Sequence, residues 1–137
     1  MLRMLNSIRV QVERHAENGY PHEVVGILAG NAALNTVQVA HSLVNEMGDT
    51  NNRYKVSAMA LYRATKNLEQ DGWDILGYYH SHPDHSSHYS EYDREHALPN
   101  LSYIIISVQQ GTSASIQSWR LSPDRSSMIE ETIGFLE

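Results

Sequence analysis

The chain contains no cysteine in its 137 residues. That absence removes disulfides, iron–sulfur clusters, thiolate-ligated zinc sites and thiol nucleophiles together. Any metal must then be held by nitrogen and oxygen donors. Positive charge is also scarce, with ten Lys and Arg against sixteen Asp and Glu and a formal net charge of −6. A phosphate-binding surface needs a clustered positive field that this balance does not supply, so no nucleic-acid partner is expected. No run of about 18 apolar residues occurs, so no spanning helix or membrane partner is expected. The first residues soon give way to charged ones and do not form a signal peptide, and the sequence reads as soluble and cytoplasmic. Repeats, linkers and low-complexity tracts are missing too, which leaves a single domain over residues 1–137. A chain of this length can bury roughly 65–70% of its unfolded surface, so one core suffices without a structural metal.

What the chain does have is histidine: eight residues, four of them between positions 80 and 88. The surrounding pattern places them. Leu5, Ile8, Val12 and His15 recur at spacings of three and four and predict a helix over residues 3–18, stopped by Asn18-Gly19. The run Val24 to Ala29 predicts a buried strand, and residues 36–44 a second strand paired with it as a hairpin. Residues 45–53 are rich in turn formers and predict a mobile loop. A helix is expected after Ser57, with Ala60, Leu61, Ala64 and Leu68 on one stripe and Asp71-Gly72 as its stop. Residues 73–80 predict a central strand that ends in the histidine cluster, and residues 90–97 a short helix ended by Pro99. Strands follow at 101–108 and 114–121, and 128–135 fits either a strand or a helix. The order predicts an α/β (α+β) domain, a mixed sheet flanked by helices.

His80-Ser81-His82 falls at the predicted strand end. Side chains two apart on a strand share a face, so the two imidazoles, roughly 6–7 Å apart at the backbone, can converge on one ion. Ser81 points the other way. Eight residues after His82 comes Ser90-Glu91-Tyr92-Asp93, where Ser90 and Asp93 share one face of a helix start. Folded back over the histidines, that face would complete a His, His, Asp site with a position open for water, the pattern of catalytic zinc. Water acidified to a pKa near ~7 is a nucleophile for hydrolysis when a nearby carboxylate moves its proton. Simpler readings stand beside this one. His-x-His can be a satisfied surface pair, and Ser-x-x-Asp is also a capping box, a role compatible with facing a metal. His85 and His88 extend the run and fit either a second metal site or a solvated loop, of which the loop is preferred. His15, His22, His41 and His96 have no partner pattern and read as packing or surface residues.

Other His-x-His architectures fail on spacing. Metal-dependent barrels need about 250 residues. Asp84 to Tyr89 contains no glutamate to complete a cupin site, and His22-Glu23 is followed by Val24-Val25-Gly26, which is no zincin motif.

Glu23, then His80-Ser81-His82-Pro83, then Ser90-Glu91-Tyr92-Asp93 resembles the JAMM motif of the MPN-plus metallopeptidases, in their small stand-alone prokaryotic branch. That motif is a glutamate, a distant His-Ser/Thr-His, seven residues, a serine, two residues and an aspartate. Pro21, Gly26 to Gly30, Gly77-Tyr78-Tyr79 and the strand from Tyr103 to Val108 extend the likeness over about residues 8–121. The segment Ser86-Ser87-His88-Tyr89 is more polar than the proline-rich stretch usual in this branch, and Val24 and Val25 stand where several relatives carry cysteine.

The resemblance implies a cytidine-deaminase-like MPN fold. It implies His80, His82 and Asp93 as ligands of one zinc ion per chain, Glu23 as general acid/base, and Ser90 as hydrogen-bond partner of the substrate oxyanion or the water. Local spacing alone would not have singled out Glu23. The implied reaction is hydrolysis of an amide or isopeptide bond at the Gly-Gly tail of a ubiquitin-like or sulfur-carrier protein, with a homodimer also admitted. The alternative is a non-catalytic MPN scaffold or protein-binding module, whose known examples lack one or more motif residues.

Overall fold

The computed structural model describes residues 1–46 and 55–137. Eight strands form one mixed sheet: β1 (Leu2–Leu5), β2 (Val25–Asn31), β3 (Thr36–Leu43), β4 (Asp74–Pro83), β5 (Ser102–Gln109), β6 (Thr112–Leu121), β7 (Met128–Glu131) and β8 (Ile133–Leu136). Three helices accompany them: α1 (Asn6–Gly19), α2 (Ala58–Gln70) and α3 (Glu91–His96). The strand order is β7-β6-β5-β4-β2-β3-β1-β8. Only Thr132 separates β7 at one edge from β8 at the other. Because consecutive Cα atoms are 3.80 Å apart, the sheet must curl until its two edges approach.

Inside that curl lies α1, whose buried face of Ile8, Val12 and Ala16 packs with Leu28, Tyr79, Ile104, Ile106 and Val108. The opposite face of the sheet carries α2, where Ala64 and Leu68 meet Ile27 and Ala29. On that same face, Tyr103, Ile105, Trp119 and Leu121 pack with Ala97, just beyond α3. Strands β2 and β5 are covered on both sides, which explains their uninterrupted apolar runs.

The hairpin of β2 and β3 and the helix capped by Ser57 form as the sequence predicts; the Ser57 Oγ accepts the Ala60 N–H at 3.1 Å. Three elements differ. The predicted first helix begins only at Asn6, because Leu2 and Met4 alternate inward on a strand paired in parallel with β3 and β8. The ambiguous stretch at 128–135 is two strands, split at Thr132 between opposite edges of the sheet. Strand β4 starts at Asp74 and continues through the histidines to Pro83, since its parallel pairing with β5 reaches Pro83↔Val108. Of the predicted loop at 45–53, residues 47–53 lie outside the described residues. Its flanks are tied together, with the Glu46 N–H on the Lys55 carbonyl at 2.7 Å and the Lys55 N–H on the Asn45 side chain at 3.0 Å. Among the described residues no helix is long and apolar enough to cross a membrane.

Candidate metal centre and active site

The alternation of β4 sends His80 and His82 to the face shared with α3 and sends Ser81 into the opposite side. Their Nε2 atoms are 3.3 Å apart. Pro83 ends the strand, and the following loop returns the chain so that α3 starts above the pair. Ser90 caps that helix. Its Oγ accepts the Asp93 N–H at 3.2 Å, while Asp93 Oδ2 accepts the Ser90 N–H at 2.8 Å, a complete capping box. The box fixes the Asp93 carboxylate over the imidazoles, with Oδ1 at 2.9 Å from His80 Nε2 and Oδ2 at 3.1 Å from His82 Nε2. The structural and the site-building readings of Ser-x-x-Asp are thus the same geometry.

Glu23 arrives from a different part of the chain. It immediately precedes β2, and the antiparallel register places Val25 opposite His80. Ser81 completes the placement: its Oγ accepts the Val24 N–H at 2.9 Å and its own N–H donates to the Val24 carbonyl at 3.1 Å. The Glu23 carbonyl takes a further hydrogen bond from Asn45 Nδ2 at 2.8 Å. As a result, one carboxylate oxygen of Glu23 and one ring nitrogen from each of His80 and His82 lie within 4.8 Å of one another. Glu23 is 4% exposed, His80 1% and Asp93 7%.

Such burial is tolerable only with compensating charge. Burial alone would raise the Asp93 pKa, but its hydrogen bonds to His80, His82 and the Ser90 N–H hold it well below the usual carboxylate range. Burial alone would lower the His82 pKa. The hydrogen bond and charge of Asp93, the Ser86 carbonyl and the charge of Glu23 outweigh it and raise the value. The His82 Nδ1–H donates to the Ser86 carbonyl at 2.8 Å, which sets the ring angle and turns Nε2 toward His80 and Asp93.

The donor set suits a borderline divalent cation. Tetrahedral zinc with bonds of about 2.0–2.1 Å has ligand atoms about 3.3–3.4 Å apart. The observed separations of 2.9, 3.1 and 3.3 Å among His80, His82 and Asp93 need little relaxation to meet that. Two imidazoles and a carboxylate also match the softness of zinc better than that of calcium or magnesium.

A cavity of about 280 Å³ opens beside these atoms, lined by Glu23, His82, Pro83, His85, Ser86, His88 and Ser90. His85 and His88 are exposed at its mouth and belong to no metal cluster among the described residues. The loop that carries them is held by hydrogen bonds in place of prolines. Buried Ser87 bonds Gln117 at 2.6 Å and Ser115 at 2.7 Å, its carbonyl takes the Trp119 indole N–H at 2.9 Å, and the His85 carbonyl takes Gln109 Nε2 at 3.0 Å. Sequence reasoning missed the parts played by Ser81, Asn45 and Ser87. Ser81 and Asn45 act through backbone groups distant in sequence and Ser87 through the side chains of Ser115, Gln117 and Trp119, and no local spacing signals that.

Comparison with known proteins places the chain among related sequences and folds. The profile of prokaryotic homologs of the JAB domain matches residues 5–122. A desampylase of Haloferax volcanii is 34% identical over 104 residues, covering 72% of this chain and 75% of the relative. The solution structure of a Desulfitobacterium hafniense protein superposes with a TM-score of 0.85 at 26% identity, over 100% of this chain and 94% of that one. A JAB1/MPN domain protein of Archaeoglobus fulgidus shares the fold with a TM-score of 0.66 at 16% identity, over 100% and 98% of the two chains. This curled mixed sheet, with two histidines at the end of one strand and an aspartate in the following helix cap, belongs to the family of prokaryotic JAB domains.

Proposed function

We propose that this protein is a JAMM-type zinc hydrolase that cleaves an amide or isopeptide bond at the Gly-Gly terminus of a ubiquitin-like or sulfur-carrier protein. The observation that carries the proposal is the convergence of Glu23, His80, His82 and Asp93, from three separate elements, beside one open cavity. Family membership and the desampylase relative support the reaction class and the modifier-like substrate.

In this reading His80, His82 and Asp93 hold one zinc ion per chain. When bound, zinc supplies a Lewis acid that polarises the scissile carbonyl and lets water lose a proton near neutral pH. Glu23 accepts that proton from the attacking water and returns it to the leaving amine nitrogen. Ser90 serves the oxyanion. Its Oγ uses a lone pair for the Asp93 N–H, so its own O–H stays available to donate to the substrate carbonyl oxygen as negative charge develops. The carrier's tail is flexible and extended, a shape that can lie along a strand and present one peptide bond to the site.

Metal analysis of the purified protein is expected to find one zinc per chain, and none in His80→Ala/His82→Ala. Glu23→Gln is expected to keep the metal and to lose about 10²- to 10⁴-fold in rate on Gly-Gly-terminated conjugates. Stoichiometric zinc in the double variant, or near wild-type turnover in Glu23→Gln, would overturn the assignment.

A further inference from the structure

A second surface feature adjoins the site. On the face of the sheet that bears His80, a groove of about 300 Å³ runs between α2 and α3, lined by Val25, Leu43, Val56, Leu61, Leu98 and Tyr103. It adjoins the candidate centre. Val25 pairs with His80, and two more lining residues, Tyr78 and Tyr92, stand two positions before His80 and one before Asp93. Beside the groove, the outer face of α2 leaves Met59 56% and Tyr62 59% exposed.

Charge on this flank is opposite to that of the chain. Residues 55–68 contain Lys55, Arg63 and Lys66 and no acidic residue, in a protein of formal net charge −6 whose ten cations face sixteen acids. Both lysines of the protein fall in this segment. Lys55 lines the groove, and Lys66 Nζ sits 5.8 Å from the Tyr62 ring. Among the described residues, Lys55, Arg63 and Lys66 form no ion pair. The Glu46 carboxylate accepts the Ser57 N–H at 2.7 Å. Other cations are paired in part: Arg9 with Glu13, Arg94 with Glu91, and Arg120 with Glu131.

An apolar groove beside the candidate centre, with Lys55 in its lining and Arg63 and Lys66 exposed on the helix that forms one wall, is a docking surface for a folded partner. We propose that it receives the globular body of the carrier whose tail enters the site, and that it selects carriers with an acidic surface around that tail. The proposal rests on the hydrolase reading above and adds the charge class of the substrate. The physical basis is complementarity: rim charges accelerate encounter and reject like-charged partners, while the apolar groove supplies contact area. Because the Debye length is about 8 Å at physiological ionic strength, the preference must weaken with salt.

The probe is ubiquitin joined through its C-terminal glycine to a fluorescent lysine, in its native form and in a form whose basic residues around the tail are changed to glutamate. The zinc-loaded protein is expected to cleave the acidic form with about tenfold higher kcat/KM. The difference should lie in KM and fall in 0.5 M salt. Arg63→Glu/Lys66→Glu is expected to abolish or invert the preference. A Gly-Gly-aminocoumarin amide, too small to reach α2, reads the chemistry separately. Equal cleavage of the two ubiquitin forms, or an unchanged preference in the double variant, overturns the docking proposal while hydrolysis of the small amide leaves the proposed function standing. If neither conjugate nor amide is cleaved, the proposed function fails, and fluorescence anisotropy with the acidic ubiquitin decides the surface on its own: binding lost in Arg63→Glu/Lys66→Glu supports it, and absence of binding overturns it. Tighter binding of a single-stranded oligonucleotide than of the acidic ubiquitin also overturns it.

Discussion

Ser81 stands between the two histidines and does as much for the geometry as either. It is fully buried, and its hydroxyl is the acceptor for the Val24 N–H at 2.9 Å, one residue from Glu23. Ser81→Ala leaves that buried N–H without its acceptor, a cost of about 1–3 kcal/mol. Denaturant melts of the variant should show that loss, and Ser81→Thr, which keeps an acceptor oxygen, should recover part of it. Wild-type stability in Ser81→Ala would mean that the bond is dispensable. His82 supports a second expectation. Its pKa is raised from 6.5, since Asp93, the Ser86 carbonyl and Glu23 outweigh burial. Zinc requires the neutral imidazole, so protons compete with it. Apparent zinc affinity should therefore be level well above that raised pKa and fall by about tenfold per pH unit below it. Asp93 remains a carboxylate throughout that range because its own pKa is held down. Competition with a zinc chelator between pH 8 and pH 5.5 measures the slope, and a flat profile would exclude His82 as a ligand.

Among the elements, β4 carries the most constraint. It pairs antiparallel with β2 and parallel with β5, and each pairing places one part of the site: Glu23 through Val25↔His80, and the loop after Pro83 through Pro83↔Val108. Gly77 lets β4 and β5 approach. A Cβ at that position would lie 1.8 Å from the Ser102 carbonyl oxygen, a backbone atom that cannot swing aside. Gly77→Ala is expected to destabilise the protein by about 3 kcal/mol, at the upper end of ordinary overpacking, and to lower zinc affinity by displacing the strand. Thermal melts and chelator competition test both. Helix α3 is only six residues long, so its own propensity cannot hold it. The Ser90–Asp93 capping box, and the docking of Ala97 against Tyr103 and Trp119, provide the stability that its length lacks.

At the scale of the molecule, folding brings two buried carboxylates and two imidazoles together, and metal binding must then favour the folded state. With free zinc at 100 times its Kd, the stabilisation is about 2.7 kcal/mol, which for a chain of this size raises Tm by roughly 10 °C. Chelation should reverse that rise in the wild-type protein and leave the melting temperature of His80→Ala/His82→Ala unchanged. The curl of the sheet has a second consequence. Since β7 and β8 are neighbours in sequence yet lie at opposite edges, the last ten residues close the structure that wraps α1. At four residues each, both strands are too short to signal themselves, and their stability comes from the neighbour each pairs with.

The sequence alone determined what its periodicities encode: the helices at α1 and α2, the buried strands β2 and β5, and the fact that His80 and His82 share a face. It also carried the Ser90-x-x-Asp93 cap and the absence of any thiolate ligand. The JAMM resemblance then pointed to Glu23, 57 residues before His80, which local pattern could not reach. Tertiary structure decided the rest. Strand register put Val25 opposite His80, parallel pairing carried β4 on to Pro83, and Ser81, Asn45 and Ser87 found hydrogen-bond partners far along the chain. It also set a cationic flank beside an apolar groove next to the site. Side-chain spacing within one strand or helix is a local property of the backbone, whereas pairing between strands depends on which distant segments bury surface against each other.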